Sequence, residues 1–117
     1  VGSVFAGRIV SYRNKLGGYV SQNQLLEIYG MDTTRVTQFS TQAFLTAVDV
    51  ELKYVNTDDF KVLLRHPYLN YEQVKSIVNF RDAVGAINKL SDLVHLEGFT
   101  EADLHRLQPY LSFKIKD

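Results

Sequence analysis

Apolar positions along the first part of the chain follow a helical rhythm. Phe5, Ile9, Tyr12 and Leu16 are spaced by four, three and four residues, which predicts one buried face of a helix that ends at Gly17-Gly18. A shorter helix is predicted next, with Ser21 as N-cap, Leu25, Leu26 and Ile28 as its buried face and Gly30 at its end. Further on, "NTDDFKVLLRH" predicts a helix capped by Thr57, with acids in its first turn and Phe60, Leu63 and Leu64 facing inward. A tight hairpin over 67–70 leads into a longer helix. Two short ones follow, the first built on Ser91, Leu93, Val94, Leu96 and Gly98. The last opens on Thr100 and Asp103, which have the spacing of a capping box, and closes at Pro109. Between these halves, "AVDVELKYV" alternates Val48, Val50 and Leu52 with charged residues and predicts a short extended segment.

The two halves are one unit written twice. Sliding the sequence so that Gly17 falls on Gly85 also aligns Ile9 with Ile77, Val10 with Val78, Arg13 with Arg81, Leu25 with Leu93 and Gly30 with Gly98, without a gap. Tyr12 and Phe80, Leu16 and Val84, Ile28 and Leu96, Met31 and Phe99, and Val36 and Leu104 keep their apolar character. The expected organisation is a first repeat over 1–45, a linker over 46–56 that includes the extended segment, and a second repeat over 57–117. The expected class is all-α. By the same alignment Val1 stands opposite Leu69 and Gly2 opposite Asn70, so the sequence is expected to enter inside the first hairpin.

Composition narrows the chemistry. A chain of 117 residues, 45% hydrophobic, can bury a core. Thirteen basic residues balance thirteen acidic ones, so no global field selects a nucleic acid or a membrane, and partners must be argued locally. The absence of cysteine excludes disulfides, thiolate metal sites and cysteine nucleophiles. No apolar run approaches the roughly 18 residues of a membrane span. His66, His95 and His105 lack metal-ligand spacing and read as surface or helix-terminal residues. Asp58-Asp59 opens a helix, where acids suit the dipole. No phosphate loop or nucleophile elbow is present, so no enzyme, cofactor, metal or small-molecule substrate is expected. The seven Tyr and seven Phe fall mostly at apolar-face positions, with Tyr19, just past a helix end, as the exception that could serve as a stacking surface.

The stretch "VGSVFAGRIVSYRNKLGGYVSQNQLLEIYGM" resembles the ComEA-type helix-hairpin-helix module of bacterial competence proteins, from its hairpin onward. Val1 and Gly2 match the last two residues of that family's P-G-I-G hairpin, Ala6 its alanine, and Arg8 to Arg13 its R-I-V-x-Y-R helix. Gly17, Gly18 and Tyr19, then Leu25, Leu26, Ile28 and Gly30, match the downstream elements. The resemblance implies sequence-independent binding of the DNA phosphate backbone by free N–H groups at the start of the helix after the hairpin, a role in DNA uptake, and an exported or membrane-anchored location. The physical basis is the unsatisfied amides and positive dipole end of a helix N-terminus, with glycine allowing close approach.

Comparison of the repeats selects candidates. In "HPYLNY" Tyr68 and Asn70 stand at the two glycine positions, with Leu69 as the apolar wedge between them and Glu72 in the next turn, so the second hairpin is read as degenerate, Tyr68 and Asn70 obstructing the phosphate. Arg13 and Arg81 occur in both copies and read as structural. Arg8 faces Ser76, Lys15 faces Ala83, Asn14 faces Asp82 and Gly2 faces Asn70, each change removing positive charge, adding negative charge or closing the turn. Residues 1–45 carry four basic and two acidic groups, and residues 46–117 nine and eleven. The candidate DNA-binding residues are therefore Gly2, Ser3, Val4, Arg8 and Lys15. The alternative reading is a structural or protein-interaction module in which Arg8 and Lys15 are solvated helix residues.

Overall fold

The computed structural model describes residues 2–37 and 50–115, with Gly2 and Ser3 described at the backbone only. Val1 and Val48, assigned above to the hairpin and to the extended segment, lie outside the described residues. The chain forms two compact units, Val1–Glu51 and Leu52–Asp117. Their border falls inside the stretch 46–56. The architecture is all-α with tandem helix-hairpin-helix repeats and a minimal strand pair.

In the first unit α1 (Gly2–Leu16) buries Ile9 and Leu16, while Phe5 and Tyr12 are half-buried. It ends where Gly17 and Gly18 both donate their N–H to the Arg13 carbonyl, at 2.9 and 3.0 Å. Gly17 has φ +89°, and its carbonyl accepts the Glu51 N–H at 2.7 Å. The returning strand of chain passes so close that a Cβ on Gly17 would lie 2.5 Å from the Glu51 carbonyl oxygen. Ser21 then caps a 3₁₀ turn over Gln22–Glu27, and Gln24 reaches back to the Val20 and Ser21 amides. Tyr19 is buried and donates its hydroxyl to the Ile9 carbonyl at 2.7 Å, so it is a core residue and not a stacking surface. A helical stretch, α2, begins at 33–37 with Asp32 accepting the Arg35 N–H.

The second unit repeats this plan with an added opening. Strand β1 (Lys53–Tyr54) pairs in parallel with β2 (Leu111–Ser112), Lys53 against Leu111 and Tyr54 against Ser112. The sequence predicted extension near β1 but not its partner after Pro109. Between β1 and α3 (Phe60–Leu64) a turn forms in which the Asp58 carboxylate accepts the Tyr54 N–H and Thr57 donates its N–H to the Tyr54 carbonyl. That turn uses Thr57, so the N-cap is Asp59, accepting the Val62 N–H, and not Thr57. Helix α4 (Tyr71–Ala83) follows the hairpin, then a 3₁₀ turn over Leu90–His95, then α5 (Glu101–Leu107) with the capping box of Thr100 and Asp103. Pro109 sits in a last 3₁₀ turn before β2.

The two 3₁₀ turns correct the expected buried faces. With three residues per turn, Leu25 and Ile28 share one face and Leu26 is rotated out of it; Leu25 is buried and Leu26 exposed. In the second unit Leu93 is buried and Val94 exposed for the same reason. Ser91 is not an N-cap there. Lys89 holds that position without a side-chain bond, and Asp92 accepts the Asn88 N–H instead. Leu64 is exposed, and Leu63 alone of the α3 pair is in the core. His66, expected at the surface, is 1% exposed. Its Nδ1 accepts the Tyr68 N–H at 3.0 Å, and its ring packs against those of Tyr68 and Tyr110, which also touch each other.

Candidate nucleic-acid interface

The first turn of α1 comprises Gly2, Ser3 and Val4 and contains no acidic residue. Amides in the first turn of a helix have no intrahelical acceptor, and the dipole there favours an anion. Val4 is exposed. In the equivalent first turn of α4, side chains take up two of the amides and add an acid. Asn70 Oδ1 accepts the Gln73 N–H at 2.8 Å, Gln73 Oε1 accepts the Asn70 N–H at 2.9 Å, and Glu72 adds a carboxylate.

This differs from the reason anticipated for the degenerate hairpin. Among the described residues no non-glycine has positive φ, and Asn70 sits at φ −104°, in extended backbone. The 65–70 hairpin therefore needs no glycine. Tyr68 turns its ring inward, 6% exposed, stacked beneath the Arg106 guanidinium at 4.5 Å, and does not obstruct α4. Leu69 is buried as the wedge. What occupies the α4 N-terminus is the capping box of Asn70 and Gln73.

Behind the first turn of α1 an open groove runs between that helix and the first 3₁₀ turn, lined by Val4, Arg8, Tyr12, Lys15, Glu27 and Tyr29, with Gly7, Ser11 and Ile28 between them. Arg8 and Lys15 are seven residues apart, two helical turns, and so share a face. Arg8 has a structural task as well as a charge. Its Nη1 donates to the Tyr29 carbonyl at 2.8 Å, and its guanidinium lies 5.3 Å from the Phe5 ring centroid and 5.2 Å from that of Tyr29. The second unit makes the same tether with a neutral residue, Ser76 Oγ donating to the Glu97 carbonyl at 3.0 Å. A hydroxyl suffices for the tether. What the arginine adds to the tether is a charge, set against the Phe5 and Tyr29 rings.

Lys15 is exposed in the last turn of α1, where a cation also suits the dipole. The groove contains one acid, Glu27, which accepts the Tyr12 hydroxyl at 2.6 Å. Arg81 hydrogen-bonds the Val55 and Asp58 carbonyls, which makes it a clamp on the turn after β1. Two residues of this neighbourhood escaped the sequence reading. Arg35 packs over Phe5 at 4.6 Å while paired with Asp32 at 2.9 Å. Tyr29 is 84% exposed although an aromatic in a helical repeat reads as core; its counterpart Glu97, a charged residue, was the available signal.

A family model described as a helix-hairpin-helix motif matches residues 1–43 and again 50–112. The chain belongs to the helix-hairpin-helix family. The two matches fall on the two repeats. No curated protein and no solved structure matches the chain. Helix-hairpin-helix motifs are generally associated with nucleic-acid binding, and the family is generally a non-catalytic binding module. Among the described residues no group of three or more His, Asp or Glu gathers as a metal site, and no helix is long and apolar enough to cross a membrane.

Proposed function

We propose that this protein binds the phosphate backbone of DNA without sequence preference, through the first helix-hairpin-helix repeat (1–45). Gly2, Ser3 and Val4 present the amides at the start of α1, and Arg8 and Lys15 supply positive charge along the groove behind it. The second repeat (57–117) is the scaffold copy, its hairpin degenerate as a phosphate site. The observation that carries this reading is the contrast between the two helix starts: at α4 the Asn70–Gln73 box takes up two amides and the Glu72 carboxylate stands beside them, whereas α1 has no acid in its first turn. Backbone contacts of this kind position a duplex and read no bases.

A role in DNA uptake, with a location outside the cytoplasmic membrane, is the setting implied by the ComEA-type resemblance and by nothing else. A protein-interaction role is the second reading; the internal engagement of Arg8 with Tyr29 and Phe5 favours it, because part of the basic face serves the fold.

Fluorescence-anisotropy titration of labelled duplex DNA at several salt concentrations tests the proposal. Affinity is expected to fall steeply with salt and to be indifferent to DNA sequence. Lys15→Glu should weaken all duplexes alike and lower the salt slope by about 1, and Gly2→Val should weaken binding by crowding the phosphate. Absence of binding at low salt would leave the protein-interaction reading.

A further inference from the structure

Phosphate binding leaves one feature of the groove unused. Tyr29 is more exposed, at 84%, than any other large apolar side chain described. It stands on the turn just before Gly30 and is held in place from one side: its carbonyl accepts the Arg8 guanidinium, whose carbon lies 5.2 Å from the ring centroid. An aromatic ring pre-positioned in this way loses little freedom when something stacks on it. The fold does not require the ring. In the second unit the same turn and the same tether occur with Glu97 at the equivalent position and Ser76 as the donor. The first unit thus combines, in one groove, an exposed aromatic and two cations, Arg8 and Lys15, where the second has an acid, a serine and an alanine and carries its one cation, Lys75, opposite Gly7.

We propose that this groove binds single-stranded DNA, with an unpaired base stacked on Tyr29 while Arg8 and Lys15 hold neighbouring phosphates. The inference rests on the nucleic-acid reading above and adds to it: the phosphate contacts are open to duplex and single strand alike, and only a single strand gains the base on Tyr29. Basic grooves with aromatic platforms are suited to single strands because every base offers a π face. In a duplex those faces are already stacked on neighbouring bases, so the ring would have nothing to receive. Glu27 is consistent with this arrangement. Its carboxylate repels phosphate from the wall it shares with Tyr12, which directs the backbone toward Arg8 and Lys15 and the base toward Tyr29.

The test compares binding of three labelled DNAs of equal length to the full chain by anisotropy: a single strand, a single strand made abasic throughout, and a duplex. The wild type is expected to bind the single strand more tightly than the abasic strand. Tyr29→Ala should remove that preference, losing roughly 5- to 100-fold in affinity for the single strand and little for the abasic one. Tyr29→Phe, which keeps the π face, should retain it. Equal binding of all three DNAs by wild type and Tyr29→Ala would overturn the stacking inference and leave phosphate binding standing. Failure to bind any of them would overturn the nucleic-acid reading itself. Circular dichroism of Tyr29→Ala should match wild type, since the side chain is in solvent and its tether to Arg8 is a backbone carbonyl.

Discussion

Gly17 and Gly85 occupy equivalent positions yet do different amounts of work. Both have positive φ, +89° and +139°, so alanine at either strains the backbone, by roughly 1–3 kcal/mol. Gly17 also lies against the Glu51 carbonyl, where a Cβ would come within 2.5 Å, whereas nothing lies within 4 Å of a Cβ on Gly85. Gly17→Ala is therefore expected to destabilise more than Gly85→Ala, by a further ~1 kcal/mol or more, measured by urea unfolding of each variant. Equal losses would mean that the approach of Glu51 contributes nothing. Both glycines were legible from the sequence because they end predicted helices; the crowding at one of them was not, since it depends on chain returning from far along the sequence. The same distinction explains the other surprises at this scale. Asn56 bridges Ile87, by its N–H and its carbonyl, to the Phe113 carbonyl, three segments distant in sequence, and no local pattern marks it. His66 is buried because Tyr68 and Tyr110 close over it, which its neighbours in sequence do not reveal. Tyr19 and Tyr29 exchange their expected places for a related reason. One has a buried carbonyl partner at Ile9, and the other has its carbonyl and one side of its ring engaged by Arg8 while the ring stays in solvent.

At the scale of elements, helix identity and order were readable from apolar spacing, glycines and caps, while the type of the short helices was not. A six-residue segment with two adjacent leucines fits either an α or a 3₁₀ turn on paper, and only packing selects the latter, leaving Leu26 and Val94 outside. Caps were legible where the motif was complete, as at Thr100, and misplaced where a preceding turn consumed the candidate, as at Thr57. The α5 capping box carries a pH signature. The backbone N–H of Thr100, its hydroxyl and the Arg106 guanidinium hold the Asp103 carboxyl below its usual 3.8, against a smaller opposing effect of burial. A carboxyl lowered in the folded state contributes stability that is fully present above its unfolded value and is lost as pH falls through the folded one. Thermal melts between pH 5 and pH 2 should therefore show part of the acid loss of stability vanish in Asp103→Asn, while Thr100→Ala costs about 1 kcal/mol even at neutral pH. Identical acid profiles for wild type and Asp103→Asn would remove Asp103 from the account.

For the whole molecule, zero net charge conceals an uneven distribution, with the excess of basic residues in 1–45 and the excess of acids beyond. Two copies of one unit have diverged at the helix start and at every position lining the groove, while the tether from the helix to the following turn persists as Arg8 to Tyr29 and as Ser76 to Glu97. The repeat itself was legible in the sequence, because identical glycines and apolar residues align without a gap. The manner in which α4 is closed was not, because it depends on Asn70 and Gln73 exchanging bonds across one turn. The proposal turns on phosphate binding at the start of α1 and not at the start of α4. Amide chemical-shift mapping by NMR during titration with a short duplex tests this most directly, since both helix starts are observed in the same sample. Shifts are expected at Ser3, Val4, Arg8 and Lys15 that saturate together and weaken with salt, with Tyr71 to Val74 unmoved. Shifts of equal size at the start of α4, or shifts confined to it, would contradict the claim.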